Sequence, residues 1–279
     1  MNIASAGEIL WDLVGGEEYL GGAPLNFAVS AHRLGSHVTL VSAVGNDARG
    51  DRALARIEAL GLSTAFVRRV PHPTGTVTIH FDESGEPGYV IHRPAAYDFL
   101  EPAAIEAQWI YFGTLIQTNL RARAAIAAIN RSIPNRFYDL NLRKNSYTPE
   151  LVRELIGEST AIKMNQQEAS ILGATSNLEA FCRSFEKRYV CVTRGAAGCA
   201  LLIDGDYAEV DAIKVQVADT IGAGDAFAAA FLHGIGEGWS AEEVGRYANR
   251  AGSLVASRPG AIPDWSSNEL NYQSARIPI

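Results

Sequence analysis

Nine consecutive residues, Asp219-Thr220-Ile221-Gly222-Ala223-Gly224-Asp225-Ala226-Phe227, combine an anion site with a carboxylate. Gly222, Ala223 and Gly224 leave the backbone bare where an apolar helix, running to Ile235, begins. The first N–H groups of a helix have no partner within it and lie at the positive end of its dipole, so they attract an anion. Asp225 sits inside that site. A carboxylate beside an anion hole is electrostatically awkward unless it works there. It can take a proton from an attacking hydroxyl while the amides hold a transferring phosphoryl group. The bland alternative is a glycine loop followed by an acid in a helix first turn, where acids are favoured in any case.

The elements that must position this string alternate along the chain. Strands are predicted over Ile3–Ile9, His37–Val44, Trp109–Phe112, Arg136–Leu140, Ala161–Met164 and Tyr189–Thr193, with Val215–Val217 leading into the nine-residue string. Helices are predicted over Pro24–Leu34, Arg49–Leu60, Leu120–Ile129, Pro149–Ile156, Gln166–Leu172, Leu178–Lys187, Ala223–Ile235 and Ala241–Ala256. Strands alternating with helices imply an α/β fold, a parallel sheet covered on both faces. One stretch breaks the rhythm. Residues 66–93 read as strand and turn, with Thr76–Phe81 alternating, a turn at 83–88 and a return at Tyr89–Ile91. Residues 14–20, turning at Gly15-Gly16, supply a further hairpin. A small antiparallel sheet inserted in an α/β domain often serves as a lid. Residues 1–279 contain no interdomain linker or repeat, so a single domain is expected.

Other motifs carry donors and acceptors suited to a polyol and a nucleotide. Asp12 follows the first strand, and a carboxylate can accept from two adjacent hydroxyls. In Gly21-Gly22-Ala23-Pro24-Leu25-Asn26, the glycines allow close approach of a ligand and Asn26 offers both donor and acceptor. Asp47, in Gly45-Asn46-Asp47-Ala48-Arg49-Gly50, either lines a site or caps the helix after it. Arg143 ends Asp139-Leu140-Asn141-Leu142-Arg143 as a fixed cationic fork. Asn165-Gln166-Gln167-Glu168 spells a capping box. Thr193-Arg194-Gly195-Ala196-Ala197-Gly198 is a glycine loop after a strand.

Together these strings resemble the ribokinase-like, phosphofructokinase-B type carbohydrate kinases from Ile3 to about Asp264, and most of all the fructokinase branch. The resemblance implies a three-layer fold with a mostly parallel central sheet and a small β-sheet lid. It implies transfer of the ATP γ-phosphate to a sugar hydroxyl, with Asp225 as base and the amides of Gly222, Ala223 and Gly224 as anion hole. Sugar contacts would come from Asp12, Gly21, Gly22, Asn26, Asp47, Arg93 and Arg143. ATP contacts would come from Asn165, Thr193, Gly195, Gly198 and Asn249. Glu168 would hold Mg²⁺ through water, and Asp219, Ile221 and Gly260 would surround a K⁺ ion. Fructose or a related ketose is the first substrate this implies, with ribose, ketodeoxygluconate and nucleosides left open. Trp11 and Tyr97 either narrow the pocket or pack in the core.

Composition narrows the alternatives. The net charge is −7 with no Lys/Arg block, which argues against nucleic acid and anionic membrane as partners. Cys182, Cys191 and Cys199 lack metal-ligand spacing, and two of them sit in apolar runs. The N-terminus shows neither a basic leader nor a long apolar stretch, so a cytoplasmic location is expected. A dehydrogenase on a similar alternation would carry Gly-x-Gly-x-x-Gly after its first strand, and this chain does not. A sugar-binding protein without activity is the other class to set against the kinase. The open edges of a small lid sheet suggest a homodimer formed through it.

Overall fold

In a computed structural model that describes residues 1–81, 87–143 and 146–271, two sheets organise the chain. The strands are β1 (Asn2–Ala6), β2 (Leu10–Val14), β3 (Glu17–Gly21), β4 (His37–Gly45), β5 (Val67–Val70), β6 (Gly75–Phe81), β7 (Pro87–His92), β8 (Trp109–Gly113), β9 (Asn135–Asp139), β10 (Ala161–Asn165), β11 (Tyr189–Thr193), β12 (Cys199–Ile203) and β13 (Asp206–Val210). The larger sheet runs β13-β12-β11-β10-β9-β8-β1-β4-β5, and the smaller runs β3-β2-β6-β7. Pairing in the larger sheet is parallel from β5 through to β11, then antiparallel through β12 and β13. The fold is an α/β arrangement with a mostly parallel central sheet and a separate small sheet, as the resemblance implies.

Helices α1 (Ala23–Arg33), α2 (Ala48–Ala59), α3 (Thr114–Gln117), α4 (Leu120–Asn130), α5 (Pro149–Glu158), α6 (Gln166–Ile171), α7 (Leu178–Ser184), α8 (Ala223–Glu237), α9 (Ala241–Ala256) and α10 (Ser267–Asn271) complete the described residues. Successive side chains on a strand point to opposite faces, so each buried strand feeds two cores. Ile3, Tyr111, Phe137, Cys191 and Leu201 pack with α1, α8 and α9 in one cluster. Ala4, Ile110, Tyr138, Val190 and Leu202 pack with α4, α5 and α7 in the other. In the first cluster Phe27 of α1 stacks on Tyr111 at 3.8 Å, and Phe137 meets Phe231 of α8 at 5.6 Å. This aromatic column sets α1 and α8 on the sheet, and these two helices carry Asn26 and Asp225.

Several predicted elements shift. The run Ile3–Ile9 divides, because the main-sheet strand stops at Ala6 and the chain restarts at Leu10 in the small sheet. The small sheet therefore takes in residues 10–14 as well as the expected 14–20 hairpin. Of residues 66–93, Val67–Val70 joins the large sheet beside β4, and the small-sheet contribution begins at Gly75. The turn expected at 83–88 falls mostly outside the described residues. Residues 215–217 form no strand. Their valines alternate with polar residues, but Ala218 and Asp219 turn the backbone onto the Ala256 carbonyl instead of a sheet edge. The β12–β13 hairpin was not expected. It turns at Asp204-Gly205, both at positive φ, the backbone state that Asp-Gly tolerates. All three cysteines are buried and free, as small apolar groups in the core.

Candidate active site

The large sheet places β4 and β8 on either side of β1, so successive connections leave in opposite directions there. Open α/β sheets bind ligands outside the carboxyl ends of strands near such a switch. A cavity of about 300 Å³ lies at that position. The small sheet contributes Asp12, Val77, Ile79, Tyr89 and Ile91 to its wall. The ends of β9, β10 and β11 contribute Asp139, Lys163, Asn165 and Thr193, and the start of α8 contributes Gly222, Gly224 and Asp225.

Gly222 holds the N-cap position of α8 at φ 79°, and no side chain caps the helix. A Cβ there would run into the Ala261 carbonyl, so only glycine lets the loop after α9 close against the helix start. Asp225 is half-buried and its Oδ2 accepts from Asn26 Nδ2 at 2.8 Å, across 199 residues of sequence. Burial pushes the Asp225 carboxyl up to about 7, with Asp139 adding repulsion and Asn26, Lys163 and Arg143 opposing the rise. That value suits a group exchanging protons near neutrality.

Beneath Asp225 lies a buried ion pair. Lys163 Nζ donates to both oxygens of Asp139, at 2.9 and 2.8 Å, and Tyr111 donates its hydroxyl to Asp139 at 3.1 Å. Burial alone would lower the Lys163 pKa, but Asp139 outweighs it and holds the ammonium above its ordinary value. Glu8 is 4% exposed, lines the cavity and has an Oε2 without a hydrogen-bond partner among the described residues. Burial, with Asp225 nearby, pushes Glu8 up to about 7. Burial also carries Asp12 up to about 6, against the pull of Arg143.

The capping box at Asn165 and Glu168 is present. Asn165 accepts from Glu168 N at 2.9 Å, while Glu168 accepts from Asn165 N and Leu142 N at 2.7 Å each. Glu168 thus ties the β9 loop to α6, and both residues also line the cavity. Asp219 accepts from Ile221 N at 2.9 Å and Gly260 N at 3.2 Å, joining the loop before α8 to the loop after α9. Among the described residues no group of three His, Cys, Asp or Glu side chains gathers to hold a metal.

Other candidates lie off the cavity wall. Asp47 caps α2 through Gly50 N at 2.8 Å and accepts from Thr74 N and Oγ1 at 2.8 and 2.7 Å, which anchors the entry to β6. Arg93 pairs with buried Asp98 and donates to Thr118. Gly21 ends β3 beside Asp12, while its neighbour Gly22 reaches the wall at the start of α1. Gly195 and Gly198 shape the tight turn between β11 and β12. Asn249 spends its amide on the Val210 and Asp211 carbonyls at 3.1 and 3.0 Å. Trp11 and Tyr97 are core residues, 7% and 0% exposed.

The sequence model of the pfkB family carbohydrate kinases matches residues 6–268. The chain belongs to that family. This carbohydrate kinase is 30% identical to the ribokinase of Bacillus subtilis, over 86% of its own length and 82% of that protein. Its structure superposes on an uncharacterized sugar kinase of Pyrococcus horikoshii in complex with ATP with a TM-score of 0.82, at 25% identity, covering 97% of this chain and 98% of that one. A double mutant of Vibrio cholerae fructokinase, with fructose, ADP and potassium ion bound, gives 0.81 at 25% identity, covering 94% of each chain.

Sequence reasoning about this kinase missed Glu8 and the Lys163–Asp139 pair as parts of the site. Lys163 did carry a signal: it is a charge inside the apolar run Ala161–Met164, where a buried parallel strand rarely holds one. Asn141, at φ 42°, is a further one, a left-handed residue on the cavity wall.

The raised carboxyls set a pH dependence of folding. Asp225, with a folded pKa of about 7, keeps a proton that the unfolded chain has lost above the ordinary carboxylate range. Its stabilising contribution is full below about pH 4 and is lost as pH rises to about 7. Asp225→Asn is neutral at every pH and can still accept from Asn26. At pH 8 it should be more stable than the parent by about 1–2 kcal/mol, with the gap closing by pH 4. Urea melts at both pH values check this, and an equal or lower midpoint for the variant at pH 8 would contradict it.

Proposed function

We propose that this member of the family is an ATP-dependent sugar kinase acting on fructose or a related ketose, with Asp225 as the base. The observation that carries the reading is the Asn26–Asp225 hydrogen bond inside the cavity, which sets a carboxylate poised near neutrality beside the uncapped amides of α8. The hydroxyl to be phosphorylated lies against Asp225, which takes its proton as the oxygen attacks phosphorus. The amides of Gly222, Ala223 and Gly224 hold the charge that builds on the transferring group. Arg143, stacked over Tyr89 at 5.2 Å, reaches the cavity from the β9 loop and approaches the same group. Asp12 and Asn26 bind the sugar hydroxyls. Arg93 stands at the lid hinge, held by Asp98, and Asp47 anchors the same hinge through Thr74. Asn165 and Thr193 line the nucleotide side, with Gly195, Gly198 and Asn249 shaping the loops behind it.

The whole chain is read as one domain in which the small sheet is a lid that excludes water from the transfer. Magnesium would neutralise phosphate charge when bound. The donor set fits an ion held through water, since Glu168 already accepts two backbone amides and, among the described residues, no cluster of carboxylates joins it. Asp219, with the Ile221 and Gly260 segments it ties together, is the candidate K⁺ site, as the potassium-bound Vibrio cholerae relative suggests. The fructokinase reading rests on the Gly-Gly-Ala-Pro and Asn-Leu-Arg strings together with that fructose-bound neighbour. The Bacillus subtilis ribokinase, at 30% identity, makes ribose the second substrate to test. No described helix is long and apolar enough to cross a membrane.

A coupled assay over a sugar panel with ATP and Mg²⁺ tests the reading. Fructose should give the highest kcat/KM, and kcat should rise with pH through about 7 as Asp225 loses its proton. Asp225→Ala should lower kcat by roughly two to four powers of ten with little change in sugar affinity. Turnover near that of the parent would remove Asp225 from the chemistry, and a higher specificity for ribose would move the substrate without moving the reaction.

Glu168→Gln should raise the Mg²⁺ concentration needed for half-maximal rate several-fold, because a neutral amide holds metal-bound water less well. An unchanged Mg²⁺ titration would leave Glu168 as a cap alone.

Tyr19 and Tyr89, 50% and 45% exposed, extend along the cavity-side face of the lid, and we read the exposed part of that face as a homodimer surface. Sedimentation should give twice the mass of one 30.0 kDa chain, and Tyr19→Glu should return it to one. A single-chain mass for the parent would rule this out.

A further inference from the structure

We infer that Lys163 is a catalytic residue whose ammonium contacts the transferring phosphoryl group. The inference rests on the sugar-kinase reading and adds a second cation to it. Lys163 is 6% exposed, yet it lines the cavity instead of the core, together with Gly224 and Asp225. Its Nζ lies 3.7 Å from the point where a Cβ on Gly224 would stand, so nothing but the bare glycine separates it from the amides at the head of α8. An ammonium has three N–H donors. Asp139 takes two of them, and among the described residues the third has no acceptor.

A purely structural role explains this poorly. A buried ion pair is seldom more stabilising than an apolar pair of the same volume, so stability alone gives little reason to keep one. Asp139 acts here as a holder. It keeps the ammonium charged and fixes its direction, as Tyr111 in turn fixes Asp139. The oriented charge faces the space where phosphate negative charge would sit, in a setting shielded from water. There a fixed cation stabilises developing charge without having to reorganise.

The balanced step is an in-line displacement. The sugar oxygen forms a bond to the γ-phosphorus of ATP, and the bond from that phosphorus to the bridging oxygen breaks. The electron pair leaves on ADP, and the hydroxyl proton passes to Asp225. Lys163 exchanges no proton. It donates its third N–H to an oxygen of the phosphoryl group throughout, and to the same phosphate in the product.

The test compares Asp139→Asn, which removes the partner that holds the Lys163 charge but leaves the amine in place, with the double variant Lys163→Met/Asp139→Asn, which leaves no uncompensated charge buried. The readouts are kcat, and the affinities for fructose and for the sugar phosphate that the parent enzyme makes, by calorimetry. Circular dichroism melts establish folding first. The double variant should bind fructose within about threefold of the parent, bind the sugar phosphate at least tenfold more weakly, and lose roughly two to three powers of ten in kcat. Asp139→Asn should bind the sugar phosphate more tightly than the double variant, because the bound phosphate can itself hold the charge of the Lys163 amine that remains. If the double variant does not fold, the comparison passes to Lys163→Gln, which keeps a hydrogen-bond donor toward Asp139 and should show the same selective loss of product affinity. Equal affinity for the sugar phosphate in the parent and in the folded Lys163 variant would overturn the inference while the kinase reading stands. A parent enzyme that phosphorylates no sugar would overturn both.

Discussion

Holding a carboxylate at the positive end of a helix, inside a cavity, is the constraint around which the rest of this molecule is arranged. Asp225 cannot occupy the head of α8 by local preference alone, because burial and Asp139 both work against its charge. Three supports counter them: the amide of Asn26, the ammonium of Lys163 and the guanidinium of Arg143. Each comes from a different part of the chain, so the site exists only when the fold is complete. The outcome is a group close to its neutral point, able to accept a proton at modest cost.

The packing beneath these supports follows from the same need. Asn26 and Asp225 meet because Phe27 stacks on Tyr111 and Phe231 leans on Phe137, which sets α1 and α8 side by side on one face of the sheet. Tyr111 then bonds Asp139 through its hydroxyl, so one ring serves both the aromatic column and the ion pair. Gly222 meets the Ala261 carbonyl and Asp219 bonds the Gly260 amide, which brings the loop after α9 against the start of α8. Glu168 does the same for the loop after β9. Capping and site-building are one set of hydrogen bonds here, and so a reading of Glu168 as a cap and as a site residue need not conflict.

Much of this was legible in the sequence where the signal was local. The glycines and acid at residues 222–225, the capping box at 165–168 and the helical periods of α1, α8 and α9 all depend on neighbours within a few residues. What escaped depends on long-range contact. The strand after Ile3 breaks at Ala6 because Gly7 to Ile9 crosses from one sheet to the other, which an apolar run cannot reveal. Val215–Val217 has strand composition but pairs with no strand, and the two residues after it bond the Ala256 carbonyl. Arg93 and Asp47 look like ligand-binding residues by type, yet Asp98 and Thr74 engage them at the hinge of the small sheet. Lys163 stands out in sequence as a charge in an apolar run, but its partner is evident only once Asp139, 24 residues earlier, lies beside it on the next strand.

The central claim is that the folded chain itself raises Asp225 to the neutral range before any ligand arrives. The most direct measurement is a carbon NMR titration of aspartate side-chain carboxyls in the ligand-free protein, with Asp225→Asn used to assign the resonance. The account predicts one carboxyl, missing in the variant, that titrates near 7. An Asp225 carboxyl that titrates in the ordinary range, at about 4, would contradict it.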